Sequence, residues 1–158
     1  MSEIIYDSWH DFQASFAQIL ARAESELCIF DDTLDRTGLA EAANMETLRV
    51  LLTERPQFTV CIALRDTDGL TRNHPRLLRL MQTYHHTLKI QKISDNFVPR
   101  RDCMALADGQ HGVVRFDWEQ PRCKLMLDEE NEVQPYWKLF NEIWTSPAIP
   151  FSPTIVGL

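Results

Sequence analysis

The sequence predicts a three-layer α/β/α sandwich on a mixed, mainly parallel sheet. Three observations predict it. Short continuous apolar runs at residues 27–30 and 58–64 read as strands buried on both faces. Segments with helical apolar spacing separate them, as crossover connections between parallel strands require. The later runs, from residue 103 onward, are joined only by short turns and must therefore be antiparallel.

Taken in order, Ser8 precedes an amphipathic stretch that places Trp9, Phe12, Phe16, Ile19, Leu20 and Ala23 on one face. Ser8 with Asp11 has the spacing of a capping box. Residues 27–30 form the first strand. A second helix spans 39–54, turns Met45, Leu48, Leu51 and Leu52 inward, and ends before Pro56. After the strand at 58–64 comes a polar loop at 65–69. Asn73 can cap a third helix with Pro75 in its first turn and Leu77, Leu78, Leu80, Met81 and Tyr84 on its apolar face. Residues 88–93 alternate, so one face of that strand meets solvent. A loop containing Pro99 leads to two strands around Asp108 and Gly109, and a further strand spans 123–127. Asp128, Glu129 and Glu130 suit the positive start of a last helix, which buries Val133, Trp137, Phe140, Ile143 and Trp144.

The 158 residues suggest one domain, over 1–146, followed by an extended Pro-rich tail over 147–158. A chain of this length buries roughly 70% of its unfolded surface and needs no disulfide or metal staple. Cys28, Cys61, Cys103 and Cys123 are widely spaced, with no Cys-x-x-Cys pair, and read as free thiols, mostly buried. No apolar run approaches the ~18 residues that span a bilayer, and the first residues lack the pattern of a secretory signal. A cytoplasmic protein without membrane partners is expected. No metal or cofactor site is expected either: His85 and His86 are adjacent and cannot jointly clasp an ion from one helix, and there is no glycine-rich phosphate loop.

The net charge of −7 argues against non-specific nucleic-acid binding. It is unevenly spread. Residues 65–101 hold eight Lys or Arg against three Asp, a local balance of +5 that leaves −12 elsewhere. This segment is either a solvated basic face or one wall of an anion site.

The most informative stretch runs from Arg101-Asp102-Cys103 through Asp108-Gly109 to Arg115-Phe116-Asp117-Trp118. It reads as strand, acidic turn, strand. It resembles the strand pair bearing the catalytic motif of the phospholipase D superfamily, His-x-Lys, four residues, Asp, six residues, Gly-Ser-x-Asn. Anchored on Asp108, the His position holds Arg101, the Lys position Cys103, and the last four positions Arg115 to Trp118. The resemblance spans roughly residues 8–146 and includes the order of elements and the Phe140-x-x-x-Trp144 of the final helix. Arg115, Pro121-Arg122, Phe140-x-x-x-Trp144 and a Gly157-Leu158 ending resemble more closely a small family of uncharacterised bacterial phospholipase D-like proteins, which implies no particular activity.

The resemblance implies one half of a two-motif assembly, hence a homodimer, without the nucleophile. Arg101 cannot act as a base. Arg115 interrupts an apolar strand and needs a partner, for which Asp108 and Asp117 are the candidates; alternatively it grips a phosphate or carboxylate bidentately. Arg122, Arg101 and His111 are the other candidate anion-binding residues, His111 lying on the turn between the strands. Asp31-Asp32 follow an apolar strand, where open α/β sheets place ligands, but their spacing does not fit the Asp-x-Asp of haloacid dehalogenases. The expected function is a non-catalytic binding or interaction module with a vestigial anion site, taking a phosphate-bearing small ligand or a protein partner. The alternatives are a phosphodiesterase or nuclease with a site relocated to His111, Asp117 and Asp31, and a structural oligomerisation domain.

Overall fold

Helices cover both faces of one eight-stranded sheet in the computed structural model, which describes residues 4–152. The strands are β1 (Ile4–Tyr6), β2 (Glu26–Asp31), β3 (Thr59–Leu64), β4 (Leu88–Lys92), β5 (Cys103–Ala107), β6 (His111–Arg115), β7 (Cys123–Met126) and β8 (Ile149–Pro150). Their spatial order is β1-β7-β6-β5-β2-β3-β4-β8. The helices are α1 (Trp9–Arg22), α2 (Ala42–Glu54), a single turn α3 (Leu70–Asn73), α4 (Pro75–Thr83) and α5 (Glu130–Thr145).

The α/β/α sandwich is as expected, but the sheet is mainly antiparallel. Only β2–β3 and β3–β4 are parallel, because only those pairs are linked by crossover helices. The turn-linked strands β5, β6 and β7 alternate in direction, and β5 joins the parallel set antiparallel to β2. The two edge strands, which the sequence pattern does not reveal, are also antiparallel to their neighbours: β1 on β7 and β8 on β4.

Period-2 alternation of β2 divides the core. Leu27 and Ile29 face α1, α2 and α4, with Phe16, Leu48 and Leu77 among the side chains packed there. Cys28 and Phe30 face α5, where Val133, Phe140 and Ile143 are buried. Phe140 and Trp144, four residues apart on α5, stack with ring centres 5.9 Å apart. Ser8 caps α1 by accepting the Asp11 N–H at 3.0 Å. Asn73 does not cap α4; that position falls to His74, while the Asn73 amide turns to Asp35.

Residues 147–152 run extended. The Phe151 N–H donates to the Ile90 carbonyl at 2.9 Å, and its ring packs on the core. Pro153 and the Gly157-Leu158 ending lie outside the described residues. No described helix is long and apolar enough to cross a membrane.

Candidate functional site at the carboxyl ends of the central strands

Register alone assembles the site. Asp31 closes β2 beside Leu64 of β3. On its other side the β2–β5 register, with Phe30 opposite Met104, brings Asp31 next to Cys103. Cys103 is opposite Arg115, and Arg115 is opposite Cys123. One transverse row therefore crosses the sheet at the carboxyl ends of its parallel strands, where such folds place ligands. Arg65 follows Leu64 directly and reaches into the same place.

Two buried guanidiniums flank one thiol. Arg115 is 1% exposed and Arg65 8%. Arg115 Nη2 donates to Asp31 Oδ1 at 3.1 Å, to the Trp118 carbonyl at 3.2 Å and to Cys103 Sγ at 3.5 Å. Arg65 Nε and Nη2 donate to the carbonyls of Arg100 and Asp102, both at 2.7 Å, and Nη1 lies 3.8 Å from Cys103 Sγ. Aromatic faces cover the cations: Arg65 lies 4.4 Å from the Phe30 ring centre, and Arg115 lies 4.6 Å from Phe12 and 5.2 Å from Trp9. Arg115 Nε and Nη1 make no hydrogen bond among the described residues.

Burial pushes the Cys103 thiol well above its ordinary pKa, and the Asp31 carboxylate adds to the rise against the opposing pull of Arg115 and Arg65. A thiol that keeps its proton is neither nucleophile nor cation. Burial also raises the carboxyl of Asp32, against the opposing charge of Arg65, with Asp31 and Asp66 adding to the rise.

Arg101 sits at the rim, where Nε and Nη2 grip Asp117 at 2.7 and 3.0 Å and the guanidinium lies 5.2 Å from the Trp118 ring centre. The hydrogen bonds from Arg101 hold the Asp117 carboxyl below its usual range. Arg122 is exposed, and its side chain makes no hydrogen bond or ion pair among the described residues; its carbonyl accepts the Phe116 N–H at 3.2 Å.

The partners expected for Arg115 are therefore corrected. Its ion partner is Asp31, brought from 84 residues away by strand register. Asp117 is engaged by Arg101, and Asp108 lies at the other end of β5. There Asp108 and Gly109 form the tip of the β5–β6 hairpin, both with positive φ (60° and 69°), a conformation Asp and Gly tolerate. The Asp108 carboxylate accepts the N–H groups of Glu24, Ser25 and Glu26 at 2.9, 2.8 and 3.0 Å. Burial alone would raise its pKa; the hydrogen bonds from Glu26, Ser25 and Glu24 outweigh it and bring it down. Asp108 thus ties a hairpin tip to the start of β2.

His111 is also corrected. It is not on the turn but opens β6, 6% exposed, and its Nδ1 accepts the Asp128 N–H at 3.0 Å. Four residues of strand, about 13 Å, separate it from Arg115. The structure therefore brings Arg101, Arg115 and Arg122 to one end of the sheet and His111 to the other, and a site joining His111 to Asp117 and Asp31 does not form. Sequence reading missed Arg65, although its place directly after an apolar strand was the same signal that singled out Asp31. No group of three or more metal-ligating side chains is assembled among the described residues.

Comparison with solved structures places this architecture. TrmBL2, an archaeal chromatin protein described with a novel mode of DNA binding, superposes with a TM-score of 0.67 at 12% identity, over 96% of this chain and 54% of its own. Nuc from Salmonella typhimurium, a phospholipase D family member, gives 0.65 at 10% identity over 96% of this chain and 98% of its own. Phosphatidylserine synthase from Haemophilus influenzae gives 0.65 at 12% identity, over 94% of this chain and 38% of its own. The chain thus spans about half of TrmBL2 and nearly all of Nuc. These likenesses define a phospholipase D-like fold. Within that class the chain belongs to the family described as "Domain of unknown function (DUF7931)", which matches residues 8–150. No curated protein matches the sequence.

Proposed function

We propose that this domain is a phospholipase D-like module that binds and does not cleave. The observation that carries this reading is the state of the two motif positions on β5 and just before it. Arg101 stands at the nucleophile's place and is tied to Asp117; Cys103 stands at the phosphate-holding place as a buried thiol that keeps its proton. Losing a covalent nucleophile is not made good by charge placement alone.

Binding falls to the rim of the same end. Arg122 is exposed with no side-chain partner among the described residues, and Arg101 can exchange Asp117 for an incoming anion. Arg115 braces the strand ends beneath the rim, and His111 takes no part. Phe116 and Val98, 43% and 44% exposed, flank this end and suit a protein surface. The occupant we assign is a second copy of the chain, pairing isologously at the motif-bearing end, with small phosphate-bearing ligands held at the seam.

The test is light scattering of the full chain with and without Phe116→Asp. A dimer at micromolar concentration that becomes a monomer in the variant supports the reading. A wild-type monomer rejects the pairing.

A further inference from the structure

We propose that the groove between α2 and α4 binds a phosphate monoester carried by a small molecule, a second site distinct from the strand-end rim.

A cleft of about 210 Å³ opens between the two helices, lined by Met45, Arg49, Arg76, Arg79, Leu80 and Thr83. A neighbouring cleft of about 140 Å³ shares Met45 and Arg76 with it and reaches His74. Each is small beside the usual 300–1,000 Å³ of ligand sites, and together they reach only its lower end.

The groove carries an excess of positive charge. Arg76 and Arg79, three apart on one helix, repel each other, and neither side chain has an ion pair or hydrogen bond among the described residues. Arg76 also stands in the first turn of α4, which has no acidic residue there, so its charge opposes the positive end of the helix. Arg49 is shared with Glu46, at 3.0 and 2.6 Å. Glu46 lies close enough to feel the Arg76 charge, which leaves Arg79 and a partly screened Arg76 as an excess of positive charge that suits a phosphate dianion.

The second observation is His74. It is 4% exposed. Asp35 Oδ1 holds its Nε2 at 2.9 Å, and the other Asp35 oxygen accepts from Asn73 at 3.2 Å, so the ring is fixed. Its Nδ1 is buried with no partner. With Nε2 held by Asp35, an Nδ1–H would donate to an oxygen of the dianion. Met45, Leu80 and Pro75 give the groove apolar walls, which call for a carbon body on the phosphate. A dianionic monoester suits this excess of positive charge better than a singly charged diester does, and the net charge of −7 disfavours a nucleic-acid polyanion.

Calorimetric titration of the full chain with phenyl phosphate, inorganic phosphate and a short single-stranded oligonucleotide tests the assignment. Phenyl phosphate is expected to saturate one site and to bind more tightly than either other probe. The double variant Arg76→Gln/Arg79→Gln is expected to weaken it at least about tenfold, and to melt at the same or a higher temperature, because a repulsive pair is gone. His74→Gln should weaken it as well. Absence of saturable binding at millimolar phenyl phosphate overturns the proposal. So does binding unchanged in the double variant, or lost in Arg122→Gln instead, which would place the anion at the rim and leave the proposed function standing. Equal affinity for inorganic phosphate would remove the ester, and tighter binding of the oligonucleotide would replace the small molecule by a polymer.

Discussion

Arg115 Nη2 and Asp31 Oδ1 lie 3.1 Å apart, with side chains 1% and 5% exposed, at the centre of the strand-end row. Both charges are desolvated, so neither tolerates losing the other. Asp31→Ala is expected to destabilise the fold by about 3–5 kcal/mol, since it leaves a buried unpaired guanidinium. Removing both charges, as Asp31→Leu with Arg115→Met, should recover most of that loss. Urea unfolding of the two variants and wild type checks this; additive losses would contradict the pairing.

Asp108 makes stability depend on acid pH. Its folded-state pKa is lowered, so its contribution is fully present above the ordinary carboxylate value of about 3.9 and disappears as pH falls through the lower folded value. Asp108→Asn keeps the turn but weakens the charge-assisted bonds to residues 24–26. It should cost about 1–2 kcal/mol at neutral pH, a figure already reduced for partial exposure. The gap between variant and wild type should close as the pH drops below about 4. Melting curves across that interval read it directly.

Thiol labelling should report burial, not reactivity. Cys61 is only partly buried, and burial with the nearby Glu26 charge pushes its thiol up to about 11. Cys28 and Cys103 are buried and pushed further, by burial first. In the folded protein an aromatic disulfide reagent should label Cys61 first, slowly at neutral pH and faster as the pH rises. Cys103 should react only on unfolding. Rapid labelling of Cys103 at neutral pH would contradict the protonated thiol described for it.

His111 should matter to folding and not to anion binding. Its ring accepts one N–H, that of Asp128, in a site 6% exposed. His111→Ala is expected to cost about 1–3 kcal/mol, the penalty of an orphaned amide, and to leave any phosphate-induced thermal shift unchanged. A lost shift with unchanged stability would restore the residue to the binding site.

Much of the fold was legible because each element carried its own period. The runs at 27–30 and 58–64 became the parallel pair, and Ser8 capped its helix as its spacing implied. Two short edge strands were not legible: Ile4–Tyr6 and Ile149–Pro150 are too brief for alternation to register, and they add two antiparallel pairs to a sheet that β5, β6 and β7 already make mainly antiparallel. The site was legible in part. Arg115 stood out as a charge in an apolar strand, and that much follows from one strand alone. Its partner did not, because the pairing with Asp31 exists only once β5 is inserted between β2 and β6. Local neighbours such as Asp117 were nearer in sequence and were already engaged by Arg101.

The most direct measurement is turnover of bis(p-nitrophenyl) phosphate by the full chain. The proposed binding role predicts a rate no higher than that of buffer, and no difference among wild type, Arg101→Ala and Cys103→Ser. Sustained turnover that either substitution abolishes would contradict a non-catalytic role, because it would make a catalyst of an ion-paired guanidinium and a protonated thiol.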